Sequence, residues 1–251
     1  MIEIIPLAGI GEIEPGDDLA GILADAIDRT ALVPDGRDIL VVTQKIVSKA
    51  EGRQVDLDTV RPGTRALALA ETTNKDPRLV ELVLAESQAV IRAVPNILIT
   101  RHRTGHVMAN AGIDRSNLGA GRENEALLLP LDADASAERI RAALAGRWSA
   151  APAIVISDSF GRPWRYGVVN VAIGSAGLPA LIDRRGELDR DGRRLEVTQV
   201  ALGDMVASAA GLATGEGAEG VPAALVRGLV WDAPNAPASE LVRPLDEDLF
   251  R

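Results

Sequence analysis

Three short loops place the strongest demand on how this chain folds: Asn110-Ala111-Gly112-Ile113-Asp114-Arg115-Ser116-Asn117, Ser157-Asp158-Ser159-Phe160-Gly161-Arg162 and Gly215-Glu216-Gly217-Ala218-Glu219-Gly220. Each sets an acidic side chain beside small residues. Loops of this build let oxygen ligands and backbone N–H groups approach one ion, as a divalent metal with bound phosphate requires. A fold that uses them together must bring three distant segments to one place. The pattern predicts a metal-dependent, phosphate-handling enzyme.

The absence of cysteine removes disulfides, thiolate ligands and Cys nucleophiles together, so any metal must be held by hard oxygen or by His. With 36 acidic against 27 basic residues, the chain lacks the positive excess that non-specific nucleic-acid binding needs. Three Trp, one Tyr and two Phe are too few for a base-stacking platform. An acidic protein that handles an anion has an electrostatic problem, and bound divalent cations are the usual local remedy. No apolar run reaches membrane-spanning length, and Met1-Ile2-Glu3-Ile4-Ile5-Pro6 lacks a basic leader, so a cytoplasmic protein without membrane partners is expected.

The order of elements is mixed. Ile2–Leu7 reads as a strand, and Leu19, Ile22, Leu23, Ala26 and Ile27 form a helical stripe with Asp17 as N-cap. Asp38–Thr43 reads as a buried strand, followed by Gln44–Ala50; if that stretch is helical, Lys45 and Lys49 share one face. Asp76-Pro77 opens a helix, and Ile97–Arg101 with His106–Ala109 form a hairpin. Further expectations are strands at Leu127–Leu129, Ala153–Ser157 (delivering Asp158 at its C-terminal end) and Ala223–Leu229, helices at Ser136–Leu144 and Val197–Leu212, and a surface loop over Trp231–Ser239. Residues 1–251 read as a single domain or two interleaved subdomains, with no clear linker. The fold class is α+β, a mixed sheet with helices, and the hairpin argues against a purely doubly wound sheet.

Gly215–Gly220 matches G-x-G-x-x-G, but a helix precedes it and a strand follows, the reverse of a dinucleotide fingerprint; a helix C-cap and turn is the bland alternative. No P-loop pattern exists, which leaves Lys45 and Lys49 as phosphate clamps or as a solvated helix face. Asp114 and Asp158 singly fit Asx turns; with Glu216 they would make an all-oxygen site for Mg²⁺ or Mn²⁺. His102 and His106 lie in the hairpin, where a structural role fits better than a shared ligand role. Arg162 and Arg165 beside Trp164 suit either an anionic substrate or exposed ion pairs.

At these residues the chain resembles the coenzyme F420-0:L-glutamate ligase family. The resemblance is carried by Pro15-Gly16-Asp17-Asp18-Leu19, Val47-Ser48-Lys49-Ala50-Glu51-Gly52-Arg53, Asn110–Asn117, Leu128–Asp132, Asp158-Ser159 with Gly161-Arg162, Ala172-Ile173-Gly174 and Gly215–Pro222. It implies a family-specific α+β fold and a GTP-dependent amide-bond ligase that acts as a homodimer. Glutamate would be added to the deazaflavin coenzyme F420-0, with F420-1 as a further acceptor, through an acyl phosphate. Two divalent cations, Mg²⁺ or Mn²⁺, and K⁺ would assist.

By position, the resemblance puts Ile10, Gly11, Glu12, Ile13, Gln44, Lys49, Asn117, Thr214, Gly215, Gly217, Gly220 and Val221 on GTP. It puts Asp114 and Asp158 on one metal, and Ser159 and Glu216 on the second, with Lys49, Asp114 and Asp158 as the catalytic set. Ser159 stands where the family usually has Thr, and Gln44 where Ser is commoner. The chain closes on Leu249-Phe250-Arg251 with no fused reductase domain expected. A non-catalytic metal- or nucleotide-binding regulator and a related ligase with another acyl acceptor are the alternatives.

Overall fold

A computed structural model describes residues 1–248; Leu249, Phe250 and Arg251 lie outside the described residues. In chain order the elements are β1 (Glu3–Pro6), α1 (Leu19–Asp28), β2 (Ile39–Thr43), α2 (Gln44–Ala50), β3 (Gln54–Asp56), α3 (Thr64–Thr73), α4 (Pro77–Ala85), β4 (Ser87–Val94), β5 (Ile97–His102) and β6 (Val107–Ala109). They continue with β7 (Glu125–Leu127), α5 (Ala133–Leu144), β8 (Ala153–Arg162), β9 (Arg165–Ala176), β10 (Ile182–Asp183), β11 (Gln199–Val200), α6 (Leu202–Thr214) and β12 (Ala223–Arg227).

Ile39-Leu40-Val41-Val42 and Ala153-Ile154-Val155-Ile156 are unbroken apolar runs, the signature of strands covered on both faces. The central sheet has the order β1-β12-β2-β8-β9. Within it β2 and β8 run parallel from Ile39 opposite Ala153 to Thr43 opposite Ser157, and the other neighbours pair antiparallel. On one face Leu40, Val42, Ile154 and Ile156 pack with Leu23 and Ile27 of α1 and Ile140 and Leu144 of α5. The alternate residues Ile39, Val41 and Val155 meet Leu202, Val206, Ala207 and Ala210 of α6 on the other. A third apolar cluster joins Ala66 and Ala70 of α3, Val80 and Val83 of α4, and Leu98 of β5. This mixed sheet with helices is the expected α+β class.

Several boundaries move for identifiable reasons. Asp18, not Asp17, caps α1 by accepting from the Gly21 amide, while Asp17 accepts from the Glu14 amide in the preceding turn. The helix expected from Val197 starts at Leu202, because Gln199–Val200 first pairs with Ile182–Asp183. The strand expected over Leu127–Leu129 is Glu125–Leu127, held opposite Gln54–Asp56. Helix α5 begins at Ala133, since the Asp132 side chain takes the Ala135 amide as its N-cap. Strand β8 does not stop at Ser157; β9, unmarked in the sequence reading, pairs with it through Arg162, so Asp158 sits within a strand where the parallel pairing ends. Strand β4 was likewise unforeseen, its half-buried residues giving no sustained alternation. The Trp231–Ser239 segment is a loop as far as Pro237, where a 3-10 turn over Ala238–Leu241 begins, tied down where the Asp134 carboxylate accepts from the Ser175, Ala238 and Ser239 amides.

Close approach of α5 to β9 depends on Gly174. A Cβ built there would lie 2.3 Å from the Ala133 carbonyl oxygen, a backbone atom with no freedom to swing away. Gly174→Ala is therefore expected to cost at least about 2 kcal/mol in urea unfolding. Gly36→Ala, whose added carbon would meet Ala150 at an ordinary 3.5 Å, should change stability by less than about 0.5 kcal/mol. Equal midpoints for the two variants would show that α5 and β9 part freely.

Candidate active site

The C-terminal ends of the parallel pair open onto one cavity of about 760 Å³. Chain segments leaving neighbouring parallel strands diverge there, which is why such ends collect ligand sites in open sheets. Strand β2 passes into α2 without a connecting loop, so Gln44, Lys45 and Lys49 are presented at the cavity wall. From β8 come Asp158 and Ser159, and from its partner β9 come Asn170 and Val168. The loop after the 3-10 turn Asn110–Gly112 brings Asp114 and Asn117, and the end of α6 brings Thr214, Gly215 and Glu216. Ile10, Gly11, Glu12 and Ile13 close one side, and Gly217, Gly220 and Val221 another. The fold thus gathers every residue placed on nucleotide or metal by resemblance into a single concavity.

Lys49 is 5% exposed; its ammonium donates to Glu12 and, at 2.9 Å, to the Asn117 carbonyl. Lys45 lies 2.5 Å from Asp114 Oδ2 and donates to Ser116 Oγ at 2.8 Å. The other Asp114 oxygen accepts from the Ser116 amide at 2.7 Å and from its hydroxyl at 2.8 Å. Burial works against charge on Asp114, but the hydrogen bond from Lys45 and those from Ser116 outweigh it and hold the carboxyl below its usual range. The main chain is fixed as well, since Asp114 exchanges both backbone hydrogen bonds with Leu127.

Asp158 has the opposite balance. Desolvation, then the nearby negative charges of Asp114 and Glu216, push it up to about 7 despite the Ser159 amide and Lys45. Glu216 accepts from Asn170 Nδ2 at 2.7 Å, and Asn117 Nδ2 donates to the Gly217 carbonyl at 3.2 Å, which links two of the three acidic loops directly. Gly215, at φ 69°, ends α6, and β12 follows; the glycine pattern is a helix terminus, as its position in the sequence implied. Gln44 is 2% exposed, its Oε1 accepting from Ser48 Oγ at 2.9 Å while its amide nitrogen has no partner among the described residues.

Asp114, Asp158, Ser159 and Glu216 supply only hard oxygen donors, the chemistry that suits Mg²⁺ or Mn²⁺. Among the described residues no three carboxylate or imidazole groups are already drawn together as an ion cage. Lys45 on Asp114 and Asn170 on Glu216 hold two of the acidic side chains in hydrogen bonds. A cation ligated by Asp114 Oδ2 would compete with Lys45 for that oxygen.

His102 and His106 are structural. Both Nδ1 atoms lie 2.8 Å from Thr104 Oγ1, and neither ring lines the cavity. The approach of His102, with Arg103 and Arg53, holds Glu86 down at about 2, and burial lowers His106 to about 4. Two residues of the site, Ser116 and Asn170, carry no signal in the sequence, and a third, Lys45, stands there only as a phosphate clamp or a solvated charge. Ser116 was inside a quoted motif but carried no role, Asn170 belongs to the unforeseen β9, and Lys45 was separated from Lys49 only because the resemblance gave it no contact. The four-residue lysine spacing at a strand end was the available clue.

The Asp158 shift has a sign that stability reports. Its folded value of about 7 exceeds the ordinary aspartate value of 3.8, so its contribution is fully present below the lower value and is lost as pH rises through the upper one. In EDTA, Asp158→Asn should therefore raise stability by about 1–3 kcal/mol at pH 8, a gain that vanishes near pH 4. Parallel pH–stability curves for the two proteins would refute this electrostatic reading.

Sequence comparison extends these observations. A family model described as F420-0:Gamma-glutamyl ligase matches residues 9–228. The chain is 42% identical over 255 residues to the coenzyme F420:L-glutamate ligase of Methanopyrus kandleri, spanning 100% of this chain and 97% of that one. It is 42% identical over 252 residues to the protein of the same name from Methanothermobacter thermautotrophicus, with 100% and 99% covered. For the Natronomonas pharaonis protein, also so named, identity is 44% over 253 residues, with 98% and 93% covered. The chain belongs to the F420-0:gamma-glutamyl ligase family.

Proposed function

We propose that this protein joins L-glutamate to coenzyme F420-0 by a GTP-dependent reaction, giving γ-glutamyl F420, GDP and phosphate. The observation that carries the reading is the single cavity in which two lysines face three acidic loops of a family member. Amide formation from a carboxylate needs an activated acyl group. A substrate carboxylate oxygen attacks the γ-phosphorus of GTP, the bond to the bridging oxygen breaks, and GDP leaves. The glutamate amine then attacks the acyl carbon of the resulting acyl phosphate, phosphate departs, and the amine proton passes to solvent. No protein nucleophile is needed, which agrees with a chain that has no cysteine.

Within this reading Lys49, buried and fixed by Asn117, supplies a fixed positive charge to the phosphate chain. Asp114 and Asp158 would hold one divalent cation, and Ser159 and Glu216 a second, Mg²⁺ or Mn²⁺. Such ions offset charge on the transferring phosphoryl group and let two anions approach. Main-chain groups of Gly215, Gly217 and Gly220, with Thr214 and Val221, border the nucleotide opposite Ile10–Ile13, while Gln44 offers its unpaired amide. K⁺ assistance, homodimer assembly, a cytoplasmic setting and F420-1 as a second acyl substrate belong to the same proposal. Among the described residues no helix is long and apolar enough to cross a membrane.

Purified protein incubated with F420-0, glutamate, GTP and Mn²⁺ should yield a product heavier by one glutamyl residue, with GDP and phosphate released in step. GTP binding with no glutamylated product under either metal would favour a regulator instead. Lys49→Ala should weaken GTP binding or slow turnover by roughly ten- to a thousandfold, with little change in ligand-free stability. Lys45→Ala removes the ammonium group that pairs with Asp114. It should also impair turnover, and near-wild-type kinetics for both would leave the nucleotide to metals and loop amides.

A further inference from the structure

The β8–β9 ribbon carries features that the proposed chemistry does not use. Three of the six aromatic residues of the chain, Phe160, Trp164 and Tyr166, fall within seven positions of it. Trp164 is 85% and Tyr166 103% exposed, and Val168 is 49% exposed where it lines the cavity. The fully exposed Tyr166 ring, two residues from the cavity-lining Val168, is apolar surface set where a ligand would meet it. Pro163 and Trp164 form the two-residue turn, with Trp164 at φ 58°, a conformation costly for a bulky residue and one that glycine would satisfy freely. A register shift between Gly161 and Arg162, with Gly167 at φ 82°, bulges the ribbon below its tip. Bulges of this kind re-aim side chains beside active sites.

Charge supplies the second observation. Arg162 pairs in register with Arg165 across the ribbon, and like charges directly opposite one another are destabilising. Neither arginine forms an ion pair among the described residues; Arg162 donates to the Tyr166 carbonyl at 3.1 Å, and its buried Nε has no partner. In a protein of net charge −9, two guanidiniums with no ion-pair partner among the described residues, beside the exposed Tyr166 ring, fit an anionic aromatic ligand. Among the described residues the exposed ion-pair reading of these arginines finds no carboxylate partner.

Size supplies the third. A cavity of about 760 Å³ is on the scale of one drug-sized ligand, whereas the ligase reading requires a nucleoside triphosphate, an amino acid and an acyl substrate at once. Part of the acyl substrate must lie outside, along a surface continuous with the cavity. Val168 provides that continuity, and Tyr166 follows two residues, about 7 Å, further along the strand.

We propose that the tip of the β8–β9 ribbon is the subsite for the non-reacting end of the acyl substrate, a flat aromatic ring bearing an anionic group, with the ring against Tyr166 and Val168 and the anion at Arg165. The inference rests on the ligase reading for the identity of the substrate, and on the ribbon itself for the chemistry it binds.

The test compares wild type with Tyr166→Leu, which keeps bulk without the ring, Arg165→Ala, and the double variant. Turnover of F420-0 and fluorescence titration with riboflavin 5′-phosphate, a flat ring with a phosphate, are measured at concentrations where all proteins share one association state. The double variant should raise KM for F420-0 and weaken riboflavin 5′-phosphate binding at least about tenfold. KM for GTP and kcat should stay within about twofold, and melting temperatures should match. Wild-type turnover with KM unchanged in the variants would overturn the subsite and leave the ligase reading intact. Absence of turnover in wild type would remove the ligase reading; the titration then decides, since equal binding of the probe by all four proteins would overturn the subsite and weaker binding by the variants would support it. Conversion of a dimer to monomers with unchanged KM would assign the ribbon to self-association and overturn the proposal.

Discussion

The parallel pairing of β2 with β8 is the constraint on which the site depends. It is the one parallel contact of the five-stranded sheet, so its two C-terminal ends point the same way and open side by side. Because both strands are apolar on both faces, helices cover them and register is strongly specified. A slip by one residue would send Ile154 and Ile156 to the wrong face and carry Asp158 away from Asp114 at the same time. Core packing and site geometry are therefore set by the same hydrogen-bonded ladder.

Electrostatics determine how the site rests. Three acidic loops brought to one cavity repel each other, and the fold offsets this in different ways. Asp114 is neutralised by Lys45, Glu216 is held by Asn170, and Asp158 answers burial first and the neighbouring carboxylates second with a raised proton affinity. An arrangement in which one carboxylate stays strained is typical of sites whose charge balance changes during use. Lys45 and a divalent cation have the same claim on Asp114 Oδ2, so ion binding and lysine placement are coupled through a single oxygen. Lys49 differs in being buried, held by the Asn117 carbonyl and the Glu12 carboxylate, which suits a charge that stays in place.

Strand β8 serves two ends of the molecule's chemistry. Its first half is core, its middle delivers Asp158 and Ser159, and its outer part leaves the sheet as a ribbon with β9. Since β8 and β9 stay paired from Ile154 to Arg162 through two register shifts, the ribbon tip is tied by hydrogen bonds to the strand that carries Asp158. That rigidity is what a long substrate with a remote anchoring group requires.

By itself the sequence determined the α+β class, most of the helices and strands, and the three acidic loops. These follow from local periodicity, caps and glycine positions, which act over a few residues. The order of elements around Gly215–Gly220 also excluded a dinucleotide fold, and the structure agrees. Tertiary structure alone decided what depends on partners far away in the chain. The extension of β8 past Ser157 needed β9, whose polar and glycine-rich start gave no alternating signal. The late start of α6 needed the β10–β11 pairing, and the role of Lys45 needed Asp114, distant in the chain and adjacent in space. The proton affinity of Asp158 likewise belongs to no local pattern, because burial and two remote carboxylates create it.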